Sequence, residues 1–352
     1  MKDNLTQLLA GIKPVDTAAA EACIGRFDRV AKPIGSLGRL EEMLSRIAAI
    51  TGSAEIGLEK KAVAVFCADN GVVRQGVAQG GQEITTAVAG MLGAGKASVS
   101  VMAKSCGADV VCIDIGMADC VHGLLDCRLM KGTNDITKGA AMSREIAEKA
   151  IMTGIETVRE LKEKGYTLIA TGEAGSGNTT TSGAICSVLL NRSADEVTGR
   201  GAGLDDAGLA RKKAAIQKAI TINRPDPSDA MDVLHKLGGL DIAAMTGLFI
   251  GGALYRIPIV MDGFISGAAA LIAVRLCPDV KGYILPSHQS GEPGARYLMD
   301  ALGFSPIIQA DMRLGEGTGA VALFPLLDMA LAVYHDAATF ADIRVEQYRR
   351  MK

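Results

Sequence analysis

Six short apolar runs, at residues 62–67, 109–113, 167–170, 257–261, 283–285 and 306–309, punctuate this chain, and each gives way to glycine or polar residues. Those residues are Asp69-Asn70-Gly71, Asp114-Ile115-Gly116, Gly172-Glu173, Asp262-Gly263, Ser287-His288 and Asp311. Alanine-rich stretches with helical periodicity lie between them, as at 143–164 and 207–222. Continuous apolar strands alternating with helices predict an α/β fold. Parallel strands need crossover connections, and the crossover helices shield both faces of the sheet. Ligands of such sheets bind beyond the carboxyl ends of the strands. One polar residue at a strand end reads as a turn or a helix cap, whereas six strand ends that carry them read as a site.

The flanks have helical patterns with little strand signal, including 17–31, 39–51 and 326–348. They predict a small helical subdomain, 1–55 together with 326–352, packed against an α/β body at 56–325. Glycine is over-represented at 42 of 352 residues, so tight turns and close backbone approach are expected. A net charge of −2 and the absence of Trp argue against a nucleic-acid surface and against base-stacking platforms. Cys106, Cys112, Cys120 and Cys127 surround His122 without forming a CxxC pair. They read as reduced, small residues of a cytoplasmic protein, with neither a disulfide framework nor a metal site. The N-terminal sequence lacks the apolar stretch of a secretory signal, and the apolar run at 242–255 has only 14 residues, three of them glycine. No membrane span is expected.

Three glycine-bearing segments have the chemistry of a binding site. The first, 172–180, runs Gly-Glu-Ala-Gly-Ser-Gly-Asn-Thr-Thr from a strand into a small-residue helix expected at 181–190. Its backbone N–H groups can converge on an anion at a helix N-terminus, although it matches neither a Walker A loop nor GxGxxG. The second, Gly-Arg-Gly-Ala-Gly at 199–203, precedes a helix with Arg211, Lys212 and Lys213, which suits a phosphomonoester. A solvated basic helix face is the alternative. In the third, 311–320, Glu316 has a glycine on either side and can be held at an unusual backbone angle beside a ligand, as a general base would be. A first-turn helix Glu is the alternative there. His288 follows a strand without a Ser/His/Asp order or nucleophile elbow and is expected to hydrogen-bond rather than to activate a nucleophile.

Together these segments resemble the nicotinate-nucleotide–dimethylbenzimidazole phosphoribosyltransferase family. The matching stretches are 32–41 (Lys-Pro-Ile-Gly-Ser-Leu-Gly-Arg-Leu-Glu), 67–71, 172–180, 199–212, 238–247, 262–266, 287–288 and 313–319. The resemblance implies a Rossmann-like parallel six-stranded sheet with a small helical subdomain, and a homodimer, with a heterodimer of paralogues as the alternative. It also implies transfer of the phosphoribosyl group of nicotinate mononucleotide to an aromatic lower-ligand base. The products would be an α-linked nucleoside 5′-phosphate and nicotinate, with no metal or cofactor. By resemblance, Glu316 corresponds to the catalytic glutamate and Glu173 to a second active-site acid. Gly175, Ser176, Gly177, Asn178, Thr179 and Thr180 are expected at the nucleotide, with Gly201, Lys212, Asp262, Gly263 and Ser290. Leu314, Gly315, Gly80 and Val88 complete the expected substrate-binding set.

Two segments depart from the family's pattern. Ala174 and Ser176 stand where larger apolar residues are common. Gly80 and Gly81 replace a Ser or Tyr followed by Pro found in some members, and Val88 lies near the place of a Gln. The expected base pocket is therefore roomier and less polar, unless Gln82 or Glu83 restores polarity. Two other readings compete. One is a nucleotide-dependent oxidoreductase, disfavoured because no GxGxxG follows the first strand. The other is a catalytically silent subunit of a heteromer.

Overall fold

The computed structural model describes residues 5–350. Its sheet has six parallel strands: β1 (Lys61–Ala68), β2 (Ala108–Gly116), β3 (Leu125–Asp126), β4 (Leu168–Ala174), β5 (Ile259–Met261) and β6 (Ile284–Pro286). Their order is β3-β2-β1-β4-β5-β6. The chain winds outward in one direction from β1 and in the other from β4, so a crevice opens between the carboxyl ends of these two strands. Every residue of β1 and β4 is buried, the apolar ones that make up most of each strand and Lys61, Thr171 and Glu173 with them.

The expected strand at 306–309 is not part of the sheet. Pro306 has no N–H to donate, and only Ile308 makes a single parallel bridge, to His288. The sixth strand is instead Leu125–Asp126, two exposed residues paired with Ile113 and Asp114. β4 also runs further than its apolar run suggested, so Gly172 and Glu173 are strand residues and the turn begins at Gly175.

Helix Leu240–Tyr255 lies across β1, β2 and β4 and meets helix Arg144–Glu163 backbone to backbone. A Cβ on Gly154 would overlap the Ala244 carbonyl, and one on Gly247 would overlap that of Ile151. The glycines of the apolar run at 242–255 therefore serve helix packing. Helix Thr318–Asp336 is long and apolar enough to cross a bilayer, but half of it is buried, against β4 and helix Arg39–Thr51.

Helix was expected to continue to 348 and ends at Asp336. Ala337 turns extended, and the next residues pair with the end of helix Thr17–Arg29: Ala31 N donates to Ala338 O at 2.8 Å and Phe340 N to Arg29 O at 3.0 Å. Just before this pairing, the Tyr334 ring of helix Thr318–Asp336 packs 4.8 Å from the Phe27 ring of helix Thr17–Arg29.

Candidate active site

A cleft of about 450 Å³ opens at the carboxyl ends of the strands. Its floor is the turn from β4 into helix Asn178–Leu189, where Gly177 takes a left-handed conformation (φ +86°) and Asn178, rather than Thr181, begins the helix. A side chain on Gly177 would collide with Val73, so this turn needs glycine for both reasons. Beneath the floor, Asn178 Nδ2 donates to Glu173 Oε2 and, at 2.9 Å, to Asp241 Oδ2. Burial, and then the charge of Asp241, push the Glu173 carboxyl well above the usual carboxylate range. Burial raises Asp241 to about 6, against the Asn178 hydrogen bond.

Glu316 stands over this pair. It has φ +60°, between Gly315 at +91° and Gly317 at +93°. A left-handed non-glycine residue costs about 1–3 kcal/mol and persists only where its surroundings enforce it. Here the enforcement is visible. Gly172 has no Cβ to strike the Glu316 carbonyl, Gly315 has none to strike Glu173 Oε1, and Glu316 Oε2 accepts from Val99 N at 3.1 Å. Asp262 anchors the following helix, accepting from Gly317 N at 3.3 Å and Ala320 N at 3.0 Å.

The tautomer of His288 follows from its neighbour. The Ser287 hydroxyl donates to Met261 O at 2.7 Å, so the 3.0 Å contact between Ser287 Oγ and His288 Nδ1 requires the ring N–H on Nδ1. Nε2 of the neutral ring is then an acceptor. Burial lowers this imidazole's pKa, and the charge of Asp262 opposes the shift.

Of the residues expected at the site, Glu173, Gly175, Ser176, Gly177, Asn178 and Thr179 line the cleft. So do Gly201, Asp262, Gly263, Ser290, Leu314, Gly315, Glu316, Gly80 and Val88. Thr180 and Lys212 do not. Thr180 points into the protein, its hydroxyl buried without a partner. Lys212 is 1% exposed and lies behind the wall, donating to Thr179 Oγ1 at 2.9 Å and Gly199 O at 3.1 Å. Burial lowers it to about 8, opposed by Glu292. Val77, Ile84, Val88 and Leu314 make the opposite wall apolar. Neither Gln82 nor Glu83 lines it, and Glu83 turns back to accept from Gly81 N at 2.7 Å.

Sequence reasoning did not single out Asp241 or Glu292. The signal for Asp241 was a lone acid opening an otherwise apolar helix. For Glu292 it was an acid just before Pro293 at a helix start.

The fold and cleft are those of a phosphoribosyltransferase, and the family model described by that word matches residues 12–345. Among curated relatives, the nicotinate-nucleotide–dimethylbenzimidazole phosphoribosyltransferase of Ruminiclostridium cellulolyticum is 45% identical over 98% of this chain and 99% of its own length. That of Acetivibrio thermocellus is 48% identical over 92% of this chain and 93% of its own. A crystal structure of CobT from Thermus thermophilus superposes with a TM-score of 0.88 at 35% identity, covering 94% of this chain and 100% of that one. The chain belongs to the nicotinate-nucleotide–dimethylbenzimidazole phosphoribosyltransferase family. Neither the oxidoreductase reading nor the silent-subunit reading finds support in these matches.

Proposed function

We propose that the protein transfers the phosphoribosyl group of nicotinate mononucleotide to dimethylbenzimidazole or a related benzimidazole or phenol. The products are the α-linked nucleoside 5′-phosphate and nicotinate, for cobamide nucleotide-loop assembly. The observation that carries this reading is Glu316, held in a left-handed conformation at the cleft with one oxygen on Val99 N–H.

In this reading the bond from C1′ to the pyridinium nitrogen breaks, and its electron pair neutralises the departing nicotinate ring. That step needs no strong acid. The azole nitrogen bonds to C1′ from the opposite face, which inverts the anomeric centre, and its proton passes to Glu316. Glu173 lies below, and its raised pKa favours the neutral carboxyl. A second negative charge beside Glu316 is thereby avoided, while the Glu316 carboxylate faces the cationic sugar of the transition state.

The 5′-phosphate sits on the Gly175–Asn178 turn and helix start, beside Gly201, Gly263 and Ser290. Lys212 acts there through Thr179. Its ammonium donates to Thr179 Oγ1, which leaves the hydroxyl hydrogen for a phosphate oxygen. The division into a body at 56–325 and a helical unit from both ends belongs to the same proposal. So do a cytoplasmic setting and a homodimer. The exposed Val101 and Met329, on neighbouring helices, support the dimer.

The test is to incubate purified protein with nicotinate mononucleotide and a panel of benzimidazoles, purines and phenols. Nicotinate release and the anomeric configuration of the product are then measured. No release with any member would overturn the reading.

A further inference from the structure

Glu292 is a cleft-lining acid that the transfer chemistry above leaves unused. It is 8% exposed and stands immediately before helix Pro293–Leu302, yet its side chain makes no capping hydrogen bond there. It crosses instead to the glycine turn at 199–203, where Oε1 accepts from Gly201 N at 3.1 Å. Oε2 is buried with no partner and lies against Gly199, where any side chain would collide with it. Lys212 reaches the same turn from the other side, donating to Gly199 O at 3.1 Å. Its Nζ lies 3.3 Å from the position a Cβ on Gly201 would take. A buried anion and a buried cation thus grip one turn from opposite sides without forming a direct ion pair.

We propose that Glu292 is a positioning residue for phosphate binding: it latches the 199–203 turn and supplies the counter-charge that keeps Lys212 an ammonium. The inference rests on the reading that the 5′-phosphate binds on the Gly175–Asn178 turn, beside Gly201 of this one. The counter-charge to an ammonium must be an anion, which the cations Arg200, Arg211 and Lys213 and the cleft-lining Arg313 cannot supply. Arg211 reaches Gly76 O, Lys213 pairs with Asp195, and Arg200 pairs with Asp206. Helix Asn178–Leu189 presents Thr179 and carries no charged residue. On helix Ala230–Leu237, which also packs against the lysine's helix, Asp232 is engaged by His235 and Lys236. His288 faces the cleft, and burial lowers its pKa. Burial brings Lys212 down to about 8, and Glu292 is the charge that opposes this. Without Glu292 the lysine would lose its proton at lower pH, and with it the charge-assisted part of phosphate binding.

The experiment is calorimetric titration of the full-length protein across the neutral to alkaline range. The ligands are nicotinate mononucleotide and, separately, inorganic phosphate. Wild-type affinity should fall as pH rises past about 8. In Glu292→Gln, which keeps size and hydrogen bonding, the fall should begin roughly one pH unit lower, leaving binding about 5–10-fold weaker at pH 8 but little changed at neutral pH. Glu292→Asp, which keeps the charge, should retain the wild-type midpoint. If Glu292→Gln weakens binding by one factor at every pH, or leaves the midpoint unmoved, Glu292 is a structural latch only and the proposal fails. A midpoint shift seen with phosphate but no binding of nicotinate mononucleotide would uphold the inference while overturning the substrate assignment.

Discussion

Asn178 and Glu173 face each other across the glycine turn that joins β4 to its helix, and the Asn178 amide donates to the Glu173 carboxyl. The other amide hydrogen goes to Asp241, so one neutral side chain fixes two buried acids. The amide is thereby locked in one orientation at the mouth of the helix. The cleft floor is consequently a hydrogen-bonded unit whose stability depends on the protonation of its acids.

Asp241 makes that dependence measurable. Its carboxyl is raised to about 6 in the folded protein, against an unfolded value near 3.8. The folded state therefore holds a proton that the unfolded state has lost across that interval. The associated stability is fully present below about pH 4 and is lost as pH rises through about 6, a change on the order of 2–3 kcal/mol. Asp241→Asn should show a smaller decline. Urea denaturation at several pH values checks this, and equal slopes for variant and wild type would refute it.

Lys212→Ala should raise the KM for nicotinate mononucleotide by about 10- to 150-fold, the worth of a charge-assisted hydrogen bond of roughly 1.5–3 kcal/mol. The KM for the base should change little. Because Lys212 acts through Thr179, Thr179→Val should reproduce much of the loss. Initial-rate kinetics with each substrate varied decides it, and an unchanged nucleotide KM would reduce Lys212 to a packing residue.

Glu316→Gln keeps the shape of the side chain and its acceptor for Val99 N–H but cannot take a proton. Turnover should fall by roughly 10²–10⁴, with nucleotide binding retained. Turnover within a few-fold of wild type would place the base elsewhere.

The side chains of Val77, Ile84, Val88 and Leu314 give the incoming base a largely apolar surface, with Gln79, Thr85 and Arg313 the polar side chains that line the cleft near them in sequence. An apolar pocket discriminates by only about 10- to 200-fold per methylene, far less than one that hydrogen-bonds a polar edge. Substituted benzimidazoles should therefore all be used, and p-cresol as well. Competition among dimethylbenzimidazole, benzimidazole, adenine and p-cresol at equal concentration tests this, and exclusive use of one would contradict it.

Legibility in the sequence followed the strength of local signals. β1, β2 and β4 declared themselves through their apolar runs, and helical periodicity at 143–164 and 207–222 placed two long helices, which the structure shows to be capped by Ser143 and Asp205. β3 was invisible because its two exposed residues are strand only by virtue of the backbone of β2. Gly172 and Glu173 looked like a turn, yet Gly172 is a strand residue whose missing side chain admits the backbone of Glu316, a neighbour distant in sequence. Glu316 itself was legible from its flanking glycines. Lys212 was legible as a cation near a glycine turn, but its place behind the wall was not, since that depends on Thr179 and Gly199.

The pairing of the helix that ends at Arg29 with residues 338–340 also sets an order of events during synthesis. The first helices leave the ribosome long before their partners exist. At ~5–20 residues per second, the roughly 300 residues between them take about 15–60 s to make. Phe27 must wait through that interval for Tyr334 to cover it. The nascent chain therefore carries an open apolar surface until residue 334 has been made. Premature termination anywhere before about residue 334 would release a product that keeps this surface exposed, a natural target for chaperones and proteases.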